Sequence, residues 1–184
     1  MLTTLKRAKL LLGIDPTDTS RDDLLTALLE VSSQQIEDRC RRKFELQEHV
    51  QACSLQTAQP LIALDNYPIE SVSSVIDARG ESVTGFEILE TGQLFRRDGW
   101  APGMRTLTVT YRAGYVLPTD ESAGTLPATI ELACVLNAKH LLENKAGIVS
   151  ERIDGEYTVT YAQDNMPLHV SVESLIKHHI RGLA

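Results

Sequence analysis

Five histidines, three cysteines and a scatter of carboxylates are the side chains of this sequence most able to do chemistry. His178 and His179 are adjacent, so on a helix they point about 100° apart and cannot both face one metal ion. His169 lies ahead of them and could approach one, with Glu173 nearby. A solvated or partner-facing helix end accounts for the same residues without a metal. His140 falls one helical turn after Leu136 and Asn137 and reads as a boundary residue, and His49 belongs to a strand face. Cys134 sits mid-helix among Ala133, Val135 and Leu136, the setting of a packed thiol and not of a nucleophile. Most carboxylates stand where structure alone wants them. Asp22 and Asp23 open a helix, Asp120 and Glu121 lie in the loop before Pro127, and Glu87 and Glu90 flank a strand. No G-x-S-x-G elbow, phosphate-binding glycine loop or H-E-x-x-H pair is present. No catalytic, cofactor-binding or metal residue is therefore assigned, and the expectation is a protein that is not an enzyme.

The elements that hold these residues are organised around Thr106 to Gly147. Leu107, Val109 and Tyr111 alternate with Thr108, Thr110 and Arg112, the period of a half-buried strand. After Ala113-Gly114-Tyr115 and a loop, Leu126-Pro127 launches a helix to about Asn144, because proline is already set for a first helical turn. Upstream, Leu2 to Leu12 is a short helix ended by Gly13. Ser20 is the expected cap of a second helix, in which Leu24, Leu25, Leu28, Leu29, Ser32, Ile36, Cys40 and Phe44 keep helical spacing to about Lys43. The basic residues Arg39, Arg41, Arg42 and Lys43 at its end complement the helix dipole. Between the two helices, five or six short strands are separated by turn signals at Arg79-Gly80, Thr91-Gly92 and Asp98-Gly99. Trp100 lies in the connection to the last strand. Past Gly147, the sequence predicts a hairpin turning at Asp154-Gly155. A break at Met166-Pro167 follows, then a helix over about 172–181, capped by Ser171 and ended by Gly182.

The predicted class is α+β, with a small helical core, an antiparallel strand insert, a hairpin and a short C-terminal helix. One domain over 1–184 is expected, with helical core at about 1–44 and 126–147, insert at about 45–112, and hairpin with final helix at about 148–184. Its 184 residues are 42% hydrophobic, enough for one real core. A net charge of −7 argues against a general nucleic-acid-binding surface, which needs a basic face. The three cysteines, Cys40, Cys53 and Cys134, form no C-x-x-C pair, which points to reduced thiols in a cytosolic setting. No stretch approaches the roughly 20 apolar residues of a membrane helix, so a soluble, intracellular product with no membrane partner is expected.

Val109-Thr110-Tyr111-Arg112-Ala113-Gly114-Tyr115, followed by Leu126-Pro127, resembles the head–tail connector proteins of tailed phages and prophages, also called head-completion or adaptor proteins. Three further stretches match the same pattern in order. They are Leu24-Leu25…Ile36-Glu37…Arg41-Arg42-Lys43-Phe44, then Asn66-Tyr67-Pro68-Ile69-Glu70-Ser71-Val72-Ser73-Ser74-Val75, then Gly147-Ile148-Val149-Ser150-Glu151…Gly155-Glu156-Tyr157-Thr158-Val159-Thr160-Tyr161. Together they cover most of 20–162, while the segment after Met166 matches no part of it.

The resemblance implies a structural virion protein of the head–tail interface, made in the host cytoplasm. It implies a homo-oligomeric ring, usually a dodecamer, under the portal protein. Such a ring passes packaged DNA without sequence-specific binding and offers a platform to the neck or tail completion protein. It brings no catalytic residues and no cofactor. The C-terminal helix with Lys177, His178, His179 and Arg181 is the expected portal-docking element, because a short helix after the break has little core to bury against. The loops at Asp98, Gly99, Asp154 and Gly155 are expected to face the lumen or the tail. The rival readings are another neck protein (stopper or tail-completion), a small-molecule or carbohydrate-binding module, and an enzyme with an unrecognised site. The binding module would need an aromatic-lined cavity, yet aromatics are only 5% of the chain and scattered.

Overall fold

The computed structural model describes residues 1–89, 92–143, 148–154, 156–161 and 168–181, and over 148–161 only the backbone. Of the sequence features named above, Glu90, Thr91, Gly147, Gly155, Met166, Pro167 and Gly182 lie outside the described residues. The class is α+β, with four helices and small antiparallel sheets among the described residues. Two compact units divide the chain. A helical unit comprises Met1–Cys40 and Pro118–Ile180, and a strand unit runs over Arg41–Leu117 together with the segment from Arg181.

In the helical unit, α1 spans Leu5–Leu12. The Thr4 hydroxyl accepts from the Arg7 N–H at its start, and Gly13 closes it at φ 68°, the left-handed conformation glycine adopts freely. Leu10 of this helix is exposed, while Ala8 and Lys9 are buried. Lys9 is held by Asp22 at 2.5 Å and by the Asp18 carbonyl at 2.8 Å. Helix α2 runs Asp22–Cys40 and buries Leu25, Leu29, Ser32, Ser33, Ile36 and Cys40. Its start differs from expectation, because the Ser20 hydroxyl donates to Asp18 Oδ1 at 2.6 Å. Its end differs too. Arg41 takes φ 57°, a left-handed conformation that terminates a helix.

Helix α3, Ala128–Glu143, is apolar over most of its surface, as a central helix must be. It packs against α2, burying Ile130, Ala133, Cys134, Val135 and Ala138. The Glu131 carboxylate, 6% exposed, takes a bidentate pair from Arg7 (Nε–Oε1 2.6 Å, Nη2–Oε2 2.8 Å) and the Thr3 hydroxyl at 2.8 Å. Burying a carboxylate is costly unless it is paired in this way. Strands β7, Ile148–Asp154, and β8, Glu156–Tyr161, pair antiparallel with Asp154 opposite Glu156, so the expected hairpin is present. Helix α4 is Val170–Ile176.

The strand unit holds β1 (Gln47–Leu55), β2 (Gln59–Ala63), β3 (Ile69–Asp77), β4 (Glu87–Leu89), β5 (Gln93–Trp100) and β6 (Gly103–Ala113). They form two antiparallel sheets, ordered β1-β6-β3 and β2-β5-β4. The β6 alternation reads through: Leu107, Val109, Tyr111 and Ala113 join one core with Val75, Ile62, Leu94 and Trp100. Trp100 ends β5, outside any connection, and its indole donates to the Pro60 carbonyl at 3.1 Å. Asp98 and Gly99, expected at a turn, also lie in β5. Leu61 pairs with Phe95 and Gln59 with Trp100, so two steps along β2 face five along β5. The surplus residues form a bulge that Gly99 allows with φ 74°.

Hydrogen bonds from Arg7 and Thr3, set against burial, hold the Glu131 carboxyl below its ordinary pKa. A depressed folded value means that this site stabilises the protein above the unfolded pKa, and that the contribution is lost as pH falls through the folded value. Glu131→Gln is expected to lower stability at neutral pH and to flatten the acid limb of stability against pH, read by denaturant melts from pH 7 to pH 3.

Candidate functional site

Three stretches far apart in sequence meet inside the strand unit. Arg42 comes from the basic step after α2, Tyr67 from the loop between β2 and β3, and Tyr115 from the end of β6. The Arg42 guanidinium lies 3.4 Å from the Tyr67 ring centroid, 4.9 Å from Phe44 and 5.9 Å from Tyr115. Nη2 donates to the Tyr67 carbonyl. Arg42 is only 5% exposed, and its Nε and Nη1 have no hydrogen-bond partner among the described residues. Aromatic faces therefore supply much of what balances this charge. Of the four basic residues read as dipole complements, Arg42 is thus a core group. Arg39 has another role, pairing with Glu173 of α4 at 2.7 Å.

The backbone closes around the same place. Tyr115 N–H donates to the Phe44 carbonyl (2.7 Å), Leu46 N–H to Tyr115 (2.9 Å) and Gly114 N–H to Pro68 (3.0 Å). A Cβ on Gly114 would sit 2.5 Å from the Glu45 carbonyl oxygen, and φ is 119°, so the Ala-Gly-Tyr motif needs its glycine. The Tyr67–Pro68 peptide is cis. Asn66 ties the loop inward by accepting from the Lys43 N–H at 2.8 Å, and its own N–H donates to the Tyr111 hydroxyl at 3.2 Å. Tyr111 in turn donates to Gln51 at 3.0 Å. His49 lies tilted against the Tyr111 ring at 5.5 Å between centroids and 3.3 Å from the Asn66 amide, and burial pushes its pKa down. This arrangement rigidifies a scaffold.

The groups that looked chemical are placed as follows. Burial raises the Cys53 and Cys134 thiols to about 11, far from a reactive thiolate. His169 stacks on His140 at 4.1 Å between centroids. It, and not Ser171, is the N-cap of α4, accepting from the Ser171 N–H. Burial, aided by His169, lowers the pKa of His140. Glu173 is committed to Arg39. Among the described residues no three His, Cys, Asp or Glu gather as metal ligands would.

The expected docking residues are dispersed. Helix α4 stops at Ile176, so Lys177, His178 and His179 form a turn beyond it. Lys177 and His178 are exposed, His179 lies 3.4 Å from the Thr129 hydroxyl, and Arg181 pairs with Asp65 at 2.6 Å. The reason given for docking also changes: Leu168, Val172 and Ile176 are buried, so this helix does have a core. Asp98 is exposed in the β5 bulge, and Asp154 ends β7. Sequence reasoning missed Glu131 and Arg42. The only local signal was a charged residue at a core-facing position, as at Glu131 between Ile130 and Ala133.

A family model described as Head completion protein matches residues 1–181. No curated protein sequence is similar enough to count as a match. Among solved structures, the chain is similar to one from the virion of the native gene transfer agent (GTA) particle. That match has a TM-score of 0.63 and 17% identity, over 99% of this chain and 92% of that one. It is also similar to a chain from the neck of the empty GTA particle computed with C6 symmetry, at TM-score 0.56 and 18% identity, over 88% and 81%. A third, from the neck of the native GTA particle computed with C12 symmetry, gives 0.56 and 18% over 87% and 84%. At these identities the likeness is one of fold.

Three substitutions test this placement. Gly114→Ala is expected to destabilise by more than about 1 kcal/mol in a urea melt, because the backbone cannot accept a Cβ there. Ile176→Ala is expected to cost about 2–5 kcal/mol as a core truncation, while Lys177→Ala leaves the melt unchanged.

Proposed function

The chain belongs to the head completion protein family, and we propose that it is a structural protein of the particle neck that closes as a ring under the portal. There it completes the DNA-filled head and gives the next neck or tail component a surface to dock on. The observation that carries this reading is the family match, which runs through both units and not one motif. The fold shared with chains from necks computed with C6 and C12 symmetry supports the ring. A ring also needs two different surfaces on each subunit that meet head to tail. The role calls for no catalysis and no cofactor.

Charge distribution supports a DNA passage that does not grip. The helical unit holds nine Lys and Arg against sixteen Asp and Glu, while the strand unit holds nine of each. An acidic lining repels phosphate and lets DNA slide. In this reading the exposed turn with Lys177 and His178 faces the portal, assisted by His179 and Arg181. The Asp98 bulge and the Asp154 hairpin end face the lumen or the tail. The protein resides at the head–tail interface of the virion and, during assembly, in the host cytoplasm.

Native mass spectrometry across a concentration series, with and without portal protein, tests the role. A closed ring of a single stoichiometry, alone or on the portal, is the expected result. A chain that stays monomeric and binds no portal at any concentration overturns it.

A further inference from the structure

The outer face of the β1-β6-β3 sheet has an unusual composition for a surface in water. In register across it lie Val50, Thr110 and Ser74, and next to them Ala52, Thr108 and Ile76. Val50 is 69% exposed and Ile76 38%. Neither row contains a charged side chain. Sheet faces left open to water usually carry charged and polar groups, whereas flat rows of β-branched and small residues suit a face covered by another layer. Charged residues stand only toward its ends: at one, exposed Arg112 lies opposite exposed Glu48 in register and pairs with Glu70 at 2.7 Å, and exposed Arg105 lies toward the other.

Helix α2 carries a surface of the opposite kind. Beside its buried stripe, a second one runs through Leu24, Leu28 and Val31, at i, i+4 and i+7. Leu24 and Val31 are 50% and 48% exposed. Exposed Asp23, Glu30 and Asp38 line one side of it. The helical stripe is thus apolar with an acidic rim, and the sheet face is uncharged across its middle, with charges of both signs only toward its ends.

We propose that the outer face of the β1-β6-β3 sheet is a subunit interface, covered by the Leu24–Leu28–Val31 stripe of α2 from a second copy of this chain. This rests on the ring reading above. Two complementary, non-identical surfaces on one chain are what a closed head-to-tail ring requires. The charge split favours this pairing over a symmetric one, because two helical units, each with seven excess acidic residues, would repel, while the strand unit is balanced.

The test mixes full-length Val31→Cys chains with full-length Val50→Cys chains under a short bis-maleimide, since the native Cys40, Cys53 and Cys134 are buried. A covalent dimer formed by the mixture and by neither variant alone is expected. In parallel, Val50→Asp should lose the assembled species in native mass spectrometry by opposing the acidic rim, and adding Val31→Lys should restore it. Wild-type rings with no cross-chain adduct overturn this interface and leave the ring standing. Absence of any assembly by the wild type, with or without portal, overturns both.

Discussion

Burying the Arg42 guanidinium takes a full charge out of water, at a cost of several kcal/mol unless its surroundings replace the lost hydration. Among the described residues no carboxylate pairs with it. The Tyr67 carbonyl accepts one bond, and the rings of Tyr67, Phe44 and Tyr115 supply their negative faces. Removing any of the three would leave the charge more exposed to apolar surroundings. The segment after α2, the loop before β3 and the end of β6 are therefore bound to one another by a single side chain. Gly114 belongs to the same constraint, because its missing Cβ lets the Tyr115 backbone reach the Phe44 carbonyl.

The helical unit solves a comparable problem with ions. Glu131 of α3 is buried, and Arg7 with Thr3 from the N-terminus satisfies it. Lys9 is likewise buried against Asp22 and the Asp18 carbonyl. These contacts give a short helix of eight residues a defined seat, which so short a helix would lack alone. Pairing interior charges this way holds the N-terminus in place.

Several buried or half-buried polar residues serve the fold. The stacked His140 and His169 cap and flank α4, and the Tyr111 hydroxyl network anchors the Asn66 loop. In the proposed reading, function resides in surface composition: a sheet face uncharged across its middle, an apolar helical stripe, and an excess of acid in one unit.

The sequence by itself determined the elements whose residues carry a local period or a backbone restriction. The β6 alternation predicted which of its side chains are buried, Pro127 marked the start of α3, Cys134 read as core, and the order of four motifs pointed to the family. It could not say which basic residue after α2 turns inward, because Arg42 is chosen by rings 25 and 73 positions away in the chain. Asp98-Gly99 carries the local signature of a turn, yet pairing with β2 draws it into a strand as a bulge. The C-terminal helix looked short of a core until α3 supplied one for Val172 and Ile176. Local pattern reports what a segment prefers. Burial of charge and pairing of edges depend on partners distant in sequence, and only the tertiary structure brings those together.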